Sequence, residues 1–174
     1  MPTILVTPLS AVEATILRDA PSHMVTLLSP EHMIETPAGI APDRHLRLGV
    51  NDVAEAWAGD TPPAVHHVSQ LLDFGRGWDA NAPMLVHCWA GVSRSMAAAF
   101  IILCERAGPG HERAIAQAIR ARAPHAAPNT LFVQHADEML GRGGRMREAI
   151  AEIGRGRIVA EGERVELPLS LHLP

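Results

Sequence analysis

One stretch constrains the fold more than any other: "MLVHCWAGVSRSMAAAFIILCE", residues 84 to 105. An apolar run the length of a buried strand stops at His87 and Cys88, small residues follow around Gly91, and an Ala-rich apolar run starts near Arg94. The second run suits a helix over residues 94 to 106. A buried strand and a buried helix joined by so short a loop must share one core, which is the building unit of an α/β fold.

The rest of the chain keeps that rhythm. "TILVT" (3–7) and "HMVTLL" (23–28) read as short buried strands, with an amphipathic helix across "SAVEATILRDA" between them. "RHLRLGV" supplies a third strand after a Pro/Gly-rich loop, and "PMLVH" a fourth. "PPAVHHVSQLLDF" (62–74) has helical spacing, with prolines expected in its first turn. "HERAIAQAIRAR", "PNTLFVQHADEML" and "RGGRMREAIAEIGRGR" each carry a further helix, the second opening at Pro128, and residues 155–174 read as an extended tail. The expectation is a central, largely parallel sheet flanked by helices, with 1–174 as a single domain. Ligands in such sheets bind beyond the carboxyl ends of the strands, where His87 and Cys88 fall.

Composition narrows the function. A net charge of −4 excludes a general nucleic-acid binder, which displaces counterions with basic charge. No apolar run approaches the roughly 18 residues of a membrane span, and the N-terminus has no basic leader, so the expectation is a cytoplasmic protein without membrane attachment. Two cysteines make neither a disulfide framework nor a metal cluster. Cys104 sits mid-helix among apolar residues and reads as a core thiol. The pair His66–His67 reads as solvent-facing rather than metal-binding.

The chemistry lies between Cys88 and Arg94. Seven residues there can curl the backbone into a cup whose amides converge on an anion. Gly91 admits a geometry that a side chain obstructs, Ala90 and Ser93 are small, and the following helix adds the positive end of its dipole. Arg94 can grip two oxygens of a tetrahedral anion at once. The same field favours a thiolate, which makes Cys88 a nucleophile beneath a bound phosphate. Ser95 can donate its hydroxyl to that sulfur. His87 either orients the loop through backbone carbonyls or is a satisfied histidine at a strand end.

"HCWAGVSRS" resembles the signature of the cysteine-dependent protein tyrosine phosphatases, and the compact chain looks most like their dual-specificity branch. "LGVNDVAEAW" is similar to the loop that carries the family's general-acid aspartate; Asp52 precedes Cys88 by 36 positions (88 − 52). "RARAPHAAPNTLFVQHAD" is similar to a later segment of the family, here with Pro128, Asn129, Phe132 and Gln134. The resemblance spans about residues 3–140, and Trp89 stands where the family commonly has a polar residue.

For a member, the resemblance implies that Cys88 attacks phosphorus and that Arg94 with the amides of Trp89, Ala90, Gly91, Val92 and Ser93 holds the oxygens. Asp52 then protonates the leaving oxygen and later activates water, with no metal or cofactor. His87 and Asn129 support these groups from behind. Asp43 and Asp60 are the competing carboxylates for the acid's role. The loop interior lacks lysines, which disfavours a multiply charged lipid headgroup. The substrate expected is a phosphorylated protein, on tyrosine or on serine or threonine, or a small phosphomonoester. Two other classes stay open: a catalytically silent phosphate-binding module, and a rhodanese-like sulfurtransferase. The small tyrosine phosphatases related to arsenate reductases, with their cysteine near the N-terminus, do not fit position 88.

Overall fold

The computed structural model describes residues 1–171; the end of the expected tail, 172–174, lies outside the described residues. Five strands form one sheet: β1 (Thr3–Pro8), β2 (His23–Leu28), β3 (His45–Gly49), β4 (Met84–Cys88) and β5 (Val165–Pro168), in the order β3-β2-β4-β1-β5. The first four are mutually parallel and β5 runs antiparallel on the β1 edge. Parallel strands buried on both faces read as continuous apolar runs, which is why "TILVT" and "HMVTLL" stand out in the sequence.

The helices are α1 (Val12–Asp19), α2 (Val65–Gly77), α3 (Arg94–Ala107), α4 (Glu112–Arg122), α5 (Thr130–Met139) and α6 (Arg145–Ile153). Alternation along the strands splits the core in two. Leu5, Met24 and Leu85 meet Val12 and Ile16 of α1 on one face. Ile4, Val6, Val25, Leu27, Met84 and Val86 meet the remaining helices on the other. α3 is buried from Arg94 to Cys104, which explains its alanines: it lies against the sheet and is itself covered by α2, α4 and α5. Cys104 is part of this core. No helix among the described residues is long and apolar enough to cross a membrane.

Four expectations need correction. The helix expected to open at Pro128 starts at Thr130, with Asn129 as its N-cap. Pro62 and Pro63 precede α2, whose extended N-cap is Ala64, and so lie outside the helix's first turn. His67 does not face solvent: it is buried, and its Nδ1 accepts the Ala64 amide at 3.1 Å, tying down one of the free donors of the α2 N-terminus. The C-terminal stretch is not simply an extended tail, because Val165 and Leu167 turn into the core as β5 while Glu166 points out.

Candidate active site

β4 delivers Cys88 to the carboxyl end of the sheet, and α3 starts at Arg94, so the connecting residues must turn within a very short span. Gly91 makes that turn at φ +70°, and a Cβ there would sit 2.7 Å from Pro8 N and 2.8 Å from the Thr7 carbonyl carbon. No other residue type fits that close approach to β1. Four carbonyls of the loop accept bonds from outside it: Trp89 from the Leu9 amide (3.0 Å), Ala90 from Gly162 (2.7 Å), Val92 from Ala127 (2.9 Å) and Ser93 from Asn129 (3.2 Å). The amides of Ala90, Gly91, Val92 and Ser93 donate to no acceptor among the described residues. A trans peptide points its C=O and the next residue's N–H in opposite directions, so anchoring the Trp89, Ala90 and Val92 carbonyls outward turns the amides of Ala90, Gly91 and Ser93 inward.

These residues wall a cavity of about 330 Å³ lined by Cys88, Trp89, Ala90, Val92, Ser93, Arg94, Asp52 and Val159. The Cys88 sulfur lies 3.1 Å from the Ser95 hydroxyl. Arg94 is only 6% exposed; its Nη1 donates to the Val50 carbonyl at 2.8 Å, while its buried Nε has no partner among the described residues. A buried guanidinium donor is rarely left unmatched, and here it accompanies four unmatched amides.

Asp52 reaches the same place from the loop after β3. Its Oδ1 accepts from the Ser93 hydroxyl at 2.7 Å and from Asn129 Nδ2 at 3.0 Å. Asn129 also donates to the Val53 carbonyl (2.9 Å), and its own Oδ1 accepts the Phe132 amide as the N-cap of α5. The structure thus brings Asp52, Asn129, Ser93 and the Cys88 loop together. All three aspartates are exposed, but Asp43 and Asp60 line no wall of this cavity.

His87 points to the opposite face of the sheet from Cys88 and is fully buried. Its Nδ1 lies 3.1 Å from the Cys88 carbonyl and its Nε2 2.7 Å from the Thr26 hydroxyl. Thr26 meets His45 Nε2 at 2.8 Å, and His45 Nδ1 meets the Thr36 hydroxyl at 2.9 Å. One tautomer pattern satisfies every atom: Thr36 donates to His45, His45 to Thr26, Thr26 to His87, and His87 to the Cys88 carbonyl. Both rings are neutral in this chain. Burial pushes each pKa down to about 4, for His45 with the Arg47 charge adding to it.

No family model matches the chain, and no curated protein matches its sequence. Among solved structures, the crystal structure of DUSP15 is similar at a TM-score of 0.62 and 22% identity, covering 87% of this chain and 92% of that one. The chain has the fold of the cysteine-dependent dual-specificity phosphatases. The tyrosine phosphatase OH1 from the Orf virus also aligns, at a TM-score of 0.44 and 17% identity over 88% of this chain and 80% of that one.

Within this dual-specificity phosphatase fold, the sequence pattern missed Thr26, His45, Val159 and Gly162. Thr26 and His87 are paired across β2 and β4. A cross-strand neighbour 61 residues away leaves no mark in local periodicity. Trp89 is half exposed and stands edge-on to His32, 5.4 Å between ring centres.

Proposed function

We propose that this chain is a cysteine-dependent phosphomonoester hydrolase acting on phosphorylated proteins, with residues 1–174 working as one phosphatase unit. The observation that carries the reading is the buried, unmatched Arg94 Nε beside four unmatched loop amides above a cysteine sulfur. That donor set suits a tetrahedral dianion.

In the proposed reaction the Cys88 thiolate attacks phosphorus as the P–O bond to the leaving group breaks, and Asp52 gives its proton to the departing oxygen. The product is a cysteinyl-phosphate. Asp52, now a carboxylate, takes a proton from water as that water's oxygen attacks phosphorus. The P–S bond breaks and its electron pair returns to sulfur, where the Ser95 hydroxyl at 3.1 Å donates a hydrogen bond. Arg94 and the amides hold the three non-bridging oxygens throughout. Asp52 Oδ1 already has two donors, which leaves Oδ2 to carry the proton.

A cleft of about 580 Å³ adjoins the cup through Asp52 and Ser93 and is lined further by Asn129, Arg147 and Arg155. It gives the rest of a protein substrate a place to lie; phosphotyrosine is the side chain proposed for that substrate, with phosphoserine or phosphothreonine as the alternative. A nucleophilic thiol suits a reducing, cytoplasmic setting. The test is hydrolysis of an aryl phosphate by purified protein in the presence of a chelator. Turnover that disappears in Cys88→Ser is the expected result; folded wild-type protein without turnover between mildly acidic and neutral pH would overturn the reading.

A further inference from the structure

Three of the four partners that hold the loop carbonyls outward come from segments within the phosphatase resemblance: Leu9, Ala127 and Asn129. The fourth does not. The Ala90 carbonyl is held by the amide of Gly162, at 2.7 Å the shortest of the four, from the segment between α6 and β5. That segment is fastened on both sides of the contact. The Arg157 amide donates to the Pro124 carbonyl (2.8 Å), Glu161 accepts from the Ser10 hydroxyl (2.9 Å), and Arg164 places two bonds on Asp19 (2.9 and 3.1 Å). Between them Val159 forms part of the cup wall.

The Ala90–Gly91 peptide is the one most in need of such a lock. Gly91 has the widest backbone freedom in the loop, so this peptide can turn over at the least steric cost. If it turned, the Gly91 amide would leave the anion and the Ala90 carbonyl would face it. Gly162 itself has no room for a side chain: a Cβ would lie 2.5 Å from His125 Nε2 and 2.7 Å from Cδ2. His125 is 4% exposed, and its Nε2 has no partner among the described residues, so the ring is packed directly against the Gly162 backbone. The glycine is what allows the segment to approach the loop.

We propose that Gly154–Arg164 is a working part of the site, with Gly162 as a positioning residue that fixes the Ala90–Gly91 peptide so that the Gly91 amide faces the bound phosphate. The claim rests on the reading of the loop as a phosphate site. It makes phosphate affinity depend on a residue outside the cavity lining, and linkage makes the dependence reciprocal: phosphate must tighten the Gly162 bond as the bond tightens phosphate.

The test uses the full chain and inorganic phosphate, read by calorimetry without turnover. Gly162→Ala should weaken phosphate about ten- to hundred-fold, the loss of one hydrogen bond to a charged group. In turnover of an aryl phosphate, KM should rise more than kcat falls, because the lost donor serves bound substrate and transition state alike. His125→Ala keeps the Gly162 bond and should bind phosphate as the wild type does. His125→Ala/Gly162→Ala removes the clash with the ring, leaving the methyl group 3.1 Å from the Gly91 carbonyl oxygen, and should recover part of the lost affinity. A folded Gly162→Ala protein with unchanged phosphate affinity would sink the proposal, as would a double variant as weak as the single one. Should Gly162→Ala not fold, hydrogen exchange of the wild-type Gly162 amide decides: slower exchange in saturating phosphate supports the lock, and equal rates with and without phosphate refute it. Loss of the proposed function is seen separately, as wild-type protein that binds phosphate but does not hydrolyse the ester.

Discussion

Asn129 has two jobs that pull on different atoms. Its Oδ1 caps α5 by accepting the Phe132 amide, and its Nδ2 steadies the Asp52 loop through Asp52 Oδ1 and the Val53 carbonyl. Substitutions separate the two. Asn129→Asp keeps an acceptor for the cap, worth about 1 kcal/mol, but removes both donors and sets a second carboxylate against Asp52. Helix stability should survive while turnover falls. Asp52→Asn, which leaves the loop's donors in place, should slow esters with poor leaving groups by about a hundred- to ten-thousand-fold and spare those with good ones, since a good leaving group departs without a proton. Phosphate affinity should hold or improve, because a carboxylate beside a dianion is gone. Steady-state kinetics on a series of aryl and alkyl phosphates reads both variants. Equal losses across the series would remove Asp52 from the role of acid.

At the scale of elements, the loop is held from three sides at once: β1 and the residue after it, α5 with the turn before it, and the chain running into β5. The relay from Thr36 through His45 and Thr26 to His87 adds a fourth hold, on the Cys88 carbonyl. Thr26→Val keeps shape but strips the hydroxyl that joins the two rings, leaving a buried acceptor on His87 and a donor on His45 unmet. Unfolding in urea should show a loss of about 1–3 kcal/mol, and phosphate affinity should fall with it; Thr26→Ser should recover most of both. Identical behaviour of the valine and serine variants would mean that the relay carries nothing. The strand–loop–helix pattern around Cys88 was legible in the sequence because each part is local: apolar runs, a glycine, a basic residue at a helix start. Asp52 and Asn129 were legible through their flanking motifs. The relay was not, since Thr26 is an ordinary strand residue until register sets it beside His87. β5 was hidden for another reason: only Val165, Glu166 and Leu167 show its alternation, too few to distinguish an edge strand from a tail.

Over the whole molecule, the histidines give stability a direction in pH. His45 and His87 are held to about 4 by burial, and burial also lowers His23, His67 and His125. The unfolded chain titrates them near 6.5. Between pH 4 and 6.5 the unfolded state therefore binds more protons than the folded state, and unfolding free energy must rise with pH across that window. Each fully depressed histidine adds a slope of up to about 1.4 kcal/mol per pH unit, and His87, with no exposure, comes nearest to that limit. The carboxylates act lower. Glu112, whose buried oxygen meets Arg142 at 2.8 Å, is held below its ordinary value, so its stabilisation is lost only as pH falls through the carboxylate range. Urea unfolding from pH 7.5 down to 4.5 should thus show stability level above about 7 and falling steadily below 6.5. His87→Asn should flatten that fall by up to one proton's worth, even though the variant starts from a lower stability at pH 7.5. A wild-type curve that stays level from pH 6.5 to 4.5 would mean the buried rings gain protons without unfolding, and the neutral relay behind the cysteine loop would have to be abandoned.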